Sequence, residues 1–313
     1  MTALSRASFV GSMSASAAIA AAGIRPAIAE DSMRVGTIPI DPASECFYAE
    51  DMGFFKAANI SVDIEKFSSG GAVAAGIVGG AIDVGNVDLV TIAAAYARGV
   101  PFVMLAPAGV YTRAAQTYVL LVKQDSPIRD AKDLNGKTVA VNGLKNINQI
   151  PTEAWIDNNG GDSKTVKFIE LPFPAMVPAL EGGKLDAIAV TEPTLAITNG
   201  KYRAISLAEK NLASTFLVAG WTTTRDWVRA HADLAKRYAE VIAQTARWAN
   251  VNHANTALIL SKYSKLPLAT VERMQRSYYG EKLEASLVQP VIDASAKYGV
   301  IDKAFPASAI IAS

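Results

Sequence analysis

The chain is poor in the residues that most reactive sites need. It has one cysteine, Cys46, and two histidines, His231 and His253, in 313 residues. One thiol cannot form an internal disulfide, an iron–sulfur cluster or a Cys-based zinc site. The histidines stand 22 residues apart with no H-x-x-x-H, no HExxH and no acidic cluster beside either. That leaves no pattern for a metal or for histidine catalysis. There is no G-x-S-x-G turn to present a nucleophilic serine. There is no excess of either charge: 30 Lys+Arg face 29 Asp+Glu, net +1. Nucleic-acid binders carry a basic face, which this balance does not offer. Gly and Pro show no excess, at 22 and 14 residues, an ordinary share that excludes collagen-like and low-complexity chains. What is present is apolar: 50% of the residues are hydrophobic, enough for one large or two medium domains with real cores.

The first 29 residues contain Arg6 and Arg25 and no acidic residue. An Ala/Ser/Ile-rich stretch from Phe9 to Ile24 leads to Ala27-Ile28-Ala29, before Glu30. A positive start, an apolar middle and a small-x-small site is the order of a secretory signal. The apolar part is short for a membrane span. Ser5-Arg6-Ala7-Ser8-Phe9 lacks the second Arg of a twin-arginine signal, which favours Sec export. Cleavage leaves 28 basic and 29 acidic residues, net −1. No Cys follows the cleavage site, which argues against a lipid anchor. The expectation is a soluble periplasmic monomer in which Cys46 is a buried, unpaired thiol.

Apolar β-type runs then alternate with helical patterns. Strands are expected at 33–40, 61–67, 81–87 and 101–106, with helices at 44–58, 72–78 and 88–97. A second round places strands at 118–123, 137–141, 166–171, 185–191, 203–207 and 215–223. Its helices are expected at 147–158, 174–180 and 192–198. From Arg225 onward the pattern is mainly helical. The β-α-β order implies parallel, doubly wound sheets. Crossovers near 111–117 and 214–220 make the expected lobes 30–113 plus 221–313, and 114–218. Ligands of such folds sit between the lobes, outside the carboxyl ends of the strands.

The strand-to-helix turns therefore hold the candidate binding residues. Ser69 and Gly70 open a helix whose N–H groups point outward, although a plain cap explains them equally. Asn86 and Asp88 follow the third strand. Asn142 opens a segment, 142–149, with four amide side chains that can both donate and accept. Phe173 follows a further strand, and Glu192 stands before Pro193 at a helix start, where a carboxylate is stabilised even without a ligand. Phe47, Tyr48, Phe173 and Trp221 are expected as apolar walls.

These segments resemble the nitrate/sulfonate/taurine and thiamine-pyrimidine (NMT1/THI5-like) substrate-binding proteins of ABC importers. The matching motifs are Tyr48–Lys56, Val62-Asp63-Ile64, Gly80–Gly85, Asp133–Val141, Ala179–Ala187 and Thr191-Glu192-Pro193, in order across 33–224. Asn59 stands where the family usually has Gly. The resemblance implies the type II periplasmic binding fold: two α/β lobes closing on a small molecule, with C-terminal helices. It implies a permease as partner, no cofactor and no catalysis. The Cys-rich segment and active-site His of the pyrimidine-synthesising relatives are missing here. Asp41, Glu45, Asp88 and Glu192 outnumber Lys145 and Arg113 at the turns, which favours a neutral, amine-bearing or heteroaromatic ligand over a simple anion. The alternatives are a lyase or dehydratase on the same fold and a ligand-sensing partner of a membrane receptor.

Overall fold

A computed structural model describes residues 31–112, 118–198, 200–206 and 212–312. The segment 1–29, expected as an export signal, and Arg113 lie outside the described residues. The chain opens with β1 (Asp31–Thr37), α1 (Glu45–Asp51), α2 (Phe54–Ala57), β2 (Ile60–Lys66), α3 (Gly70–Val78), β3 (Val84–Asp88), α4 (Leu89–Ala97) and β4 (Phe102–Pro107). It continues through β5 (Gly109–Tyr111), β6 (Tyr118–Lys123), β7 (Thr138–Val141), α5 (Gln149–Asn158), β8 (Lys167–Glu170), α6 (Phe173–Glu181), β9 (Ala187–Thr191), α7 (Thr194–Thr198) and β10 (Tyr202–Ser206). It ends with β11 (Phe216–Leu217), β12 (Ala219–Thr224), α8 (Arg225–Ala230), α9 (Ala232–Ala249), α10 (His253–Ser264), α11 (Leu268–Val271), β13 (Tyr278–Tyr279) and α12 (Ala285–Lys297).

The strands form two five-stranded sheets, β2-β1-β3-β12-β4 and β10-β6-β9-β7-β8, and a small third sheet, β11-β5-β13. The expected α/β architecture is therefore present, but the sheets are mixed rather than wholly parallel. β1 runs parallel to β2 and β3, and β7 runs parallel to β8 and β9. β12 is antiparallel to both β3 and β4, and β6 is antiparallel to both β9 and β10. The physical reason lies in the connections. β6 and β12 are fed from the small third sheet rather than by a helix returning over their own sheet, so nothing constrains them to run parallel. In that sheet β5 and β11 lie antiparallel, with Tyr111 opposite Phe216, and β13 pairs with the other edge of β5.

Local chemistry sets the element ends. Ser69 Oγ accepts from Ala72 N at 3.3 Å and starts α3; Asp88 Oδ1 accepts from Thr91 N at 3.1 Å and starts α4. The single helix expected over 44–58 is broken by Gly53, whose φ of +70° ends α1 before α2 begins. The one strand expected over 215–223 is two, because Val218 leaves the third sheet before β12 joins the first. Alternation in β6 sends Leu121 into the core cluster that runs through both large sheets, while Leu120 and Val122 join a second cluster behind the other face.

Candidate functional site

The carboxyl ends of β3 and β7 face each other across a narrow cavity of about 20 Å³. Gly70, Asn86 and Asp88 line it from the first sheet's side. Tyr118, Asn142, Asn146, Ile147 and Asn148 line it from the second. The polar members are almost fully buried. The space takes about one water-sized group, so a solute enters only if the two sides separate.

One hydrogen bond closes the cavity directly: Ile147 N donates to Asp88 Oδ1 at 3.2 Å. Asp88 also accepts from Thr91 N and, on Oδ2 at 2.6 Å, from Thr91 Oγ1. Burial pushes its pKa up, and these donors oppose the shift. Gly70 is required beside it, because a Cβ there would stand 2.5 Å from Asp88 Oδ2.

The amide segment forms a network. Asn142 Oδ1 accepts from Asn146 Nδ2 at 2.9 Å and from Asn148 Nδ2. Asn146 Oδ1 accepts from the backbone N–H groups of Asn148, at 2.9 Å, and Gln149, at 3.3 Å. Among the described residues that line the cavity, two buried side-chain atoms remain without a hydrogen-bond partner, Asn86 Nδ2 and Asn148 Oδ1.

A second interlobe contact lies to one side. Gln275 N donates to Glu192 Oε1 at 3.2 Å, Ala196 N donates to Glu192 Oε2 at 2.9 Å, and Asp41 N donates to the Glu192 carbonyl at 3.3 Å. Burial outweighs these donors and raises the Glu192 pKa to about 7. Nearby, Arg276 Nε lies 2.9 Å and its terminal nitrogen 2.7 Å from Asp41 Oδ1. Ser277 N donates to Asp41 Oδ2, and Arg276 donates to the Tyr48 hydroxyl at 2.7 Å.

Of the residues singled out from the sequence, Gly70, Asn86, Asp88 and Asn142 meet at the cavity. Ser69 is a half-buried helix cap, and Glu192 holds the side contact. The four aromatics expected as apolar walls are not among the residues lining this cavity. Phe47 is fully buried and stacks on Tyr263 at 4.4 Å between ring centres. Tyr48 is fully buried against Tyr279 and Arg276. Trp221 is fully buried and gives its indole N–H to Glu45 Oε2 at 2.7 Å. Phe173 packs in the core at the start of α6. These large rings sit on the covered faces of their elements, where packing claims them first. The acidic turn residues Asp41 and Glu45 likewise face partners inside the first lobe rather than the cavity. Lys145 reaches Glu153 at 3.3 Å.

Sequence reasoning missed Tyr118, which read only as the start of a strand, and Arg276, which stood in a region read simply as helical. Ile147 and Asn148 lay inside the 142–149 turn segment but were not singled out from it. Cys46 is buried, and burial pushes its thiol well up, so it is a poor nucleophile. Among the described residues no group of three or more His, Cys, Asp or Glu could hold a metal ion. No described helix is long and apolar enough to cross a membrane.

Two α/β lobes with polar strand-end turns meeting in a cleft define the periplasmic-binding-protein fold. The alkanesulfonate-binding protein SsuA from Xanthomonas axonopodis pv. citri, solved bound to MOPS, shares it with a TM-score of 0.76 at 18% identity, over 90% of this chain and 98% of that one. The sequence pattern of the NMT1-like family matches residues 27–262, so the chain belongs to that family. A taurine-binding periplasmic protein of Escherichia coli (strain K12) is 26% identical over 199 residues, 63% of this chain. That match spans only 58% of the taurine-binding protein's length. A Bacillus subtilis (strain 168) protein described as binding aliphatic sulfonates is 27% identical over 240 residues, 75% of this chain and 70% of that protein.

Proposed function

We propose that this chain is an exported solute-binding protein of an ABC importer. It captures a small molecule between its lobes by hinge closure and presents the closed form to a membrane permease. The observation that carries the reading is the cavity: buried polar side chains from both large sheets face one another there, joined by the Asp88–Ile147 hydrogen bond. Family membership and the taurine- and sulfonate-binding names of the relatives support it. The lobes are 30–113 plus 221–313, and 114–218, with 1–29 removed on export to the periplasm and the mature chain a monomer. The β5–β11 pair is the hinge. No covalent step is needed: the cavity carries hydrogen-bonding amides and one carboxylate whose oxygens are already engaged.

A thermal-shift screen of the purified exported protein tests this. The panel holds sulfonates, nitrate, amino acids, polyamines, aminopyrimidines and carboxamides. A ligand at 100 times its dissociation constant adds about 2.7 kcal/mol, enough for a clear rise in Tm. The expected result is one chemical class that binds and is recovered unchanged. Turnover of the compound would mean an enzyme instead.

A further inference from the structure

The orientation of the amide network is dictated by the backbone. A backbone N–H can only donate, so the Asn148 N–H, which has no other acceptor here, requires the side-chain oxygen of Asn146. Asn146 must then turn its NH₂ to Asn142, and Asn142 must answer with its oxygen. The same oxygen takes the NH₂ of Asn148. Asn148 is left with its own oxygen, Oδ1, unpartnered, on a residue only 3% exposed. Across the cavity Asn86, also 3% exposed, leaves its Nδ2 donor unpartnered. Both residues line the same space. A buried polar atom without a partner is costly, and two of opposite kind on facing lobes specify what should come between them.

Resting on the solute-binding reading, we infer that the cleft selects an uncharged molecule whose edge carries both a hydrogen-bond acceptor and a donor, as in a lactam, carboxamide or ureide. Its carbonyl takes the Asn86 NH₂ and its N–H goes to Asn148 Oδ1. A sulfonate or nitrate fits poorly for two reasons. It has only acceptors, so it would set an oxygen against Asn148 Oδ1. It would also be buried without a counter-charge: no Lys or Arg is among the described residues lining the cavity, and Asp88 is. Burying an anion unpaired is far costlier than burying a neutral amide. The neutral preference therefore rests on Asn86, Asn148 and Asp88, and not on the acids at positions 41, 45 and 192, which face elsewhere.

The test is calorimetric titration of the purified full mature protein with nicotinamide, 2-pyrrolidone, uracil and allantoin, and separately with methanesulfonate, ethanesulfonate and nitrate. The expected result is binding of at least one neutral amide and of none of the anions. Asn148→Leu and Asn86→Leu should each weaken that binding about 10- to 100-fold, with ligand-free melting measured alongside to confirm folding. Binding of an anion in preference to the amides would overturn the inference and leave the solute-binding reading standing. Amide binding that both variants leave intact would overturn the assignment of the two residues. No binding with any of these probes would overturn the inference, while the solute-binding reading is tested by the wider thermal-shift panel.

Discussion

Asp88 and Ile147 join the two lobes directly at the cavity: the Ile147 N–H donates to Asp88 Oδ1 at 3.2 Å. The same carboxylate caps α4 through Thr91 N. One side chain thus supports the fold of its own lobe and contacts the other. Asp88→Ala should lose a cap worth about 1 kcal/mol and an interlobe hydrogen bond of similar size. The expected outcome is about 1–3 kcal/mol less stability in urea denaturation. The ligand-free protein should also be more extended in small-angle scattering. Unchanged dimensions would mean that this bond does not hold the lobes together.

Glu192 makes the second contact pH-dependent. Its pKa is about 7 in the folded protein, chiefly through burial, against an ordinary 4.5. The folded state therefore binds this proton more tightly than the unfolded chain does. The contribution is fully present below about pH 4.5 and is lost as pH rises through about 7. Between pH 4.5 and 8 this group should cost about 2–3 kcal/mol. Urea denaturation of the wild type and of Glu192→Gln at four pH values isolates it. The wild type should lose stability relative to the variant as pH rises. A constant difference would show that Glu192 does not titrate in this range.

The parts of the site that could be read from sequence are those fixed by local chemistry. Ser69 and Asp88 precede apolar helical runs and act as caps. Gly70, Asn86 and Asn142 follow strands, and strand ends point into the cleft. Asn59 adopts a left-handed φ of +58°, which Asn tolerates better than most residues other than glycine. The illegible parts depend on distant segments. Nothing around Phe47, Tyr48 or Trp221 tells which face of each element the rest of the chain covers. Arg276 meets Asp41 across 235 residues of sequence, and no periodicity encodes such a pairing. The antiparallel sense of β6 and β12 is similarly a consequence of the crossing between lobes.

Trp221 and Glu45 form a buried pair between β12 and the start of α1. Burial holds the Glu45 carboxyl well above the usual carboxylate range, which favours its neutral form. Glu45→Gln keeps an acceptor for the indole N–H and mimics that neutral form. It should stay within about 1 kcal/mol of the wild type at pH 7. Trp221→Phe removes the donor and leaves a void in a fully buried site. It should cost about 2–4 kcal/mol. Circular-dichroism denaturation curves distinguish the two. Equal losses would show that Glu45 carries charge.

Asp41 is fully buried, and Arg276 with Ser277 N satisfies it. Burial opposes charge on Arg276, but Asp41, Tyr48 and Tyr279 raise its pKa above the ordinary value, so the guanidinium stays charged. Removing one member leaves the other charge uncompensated. Arg276→Met should therefore cost about 3–5 kcal/mol. Asp41→Asn with Arg276→Met removes both charges, and the double variant should be more stable than Arg276→Met alone, because a neutral amide needs no counter-ion. A double-mutant cycle in urea measures the coupling. Simple additivity would mean that Arg276 anchors the C-terminal segment through its hydrogen bond to the Tyr48 hydroxyl rather than through Asp41.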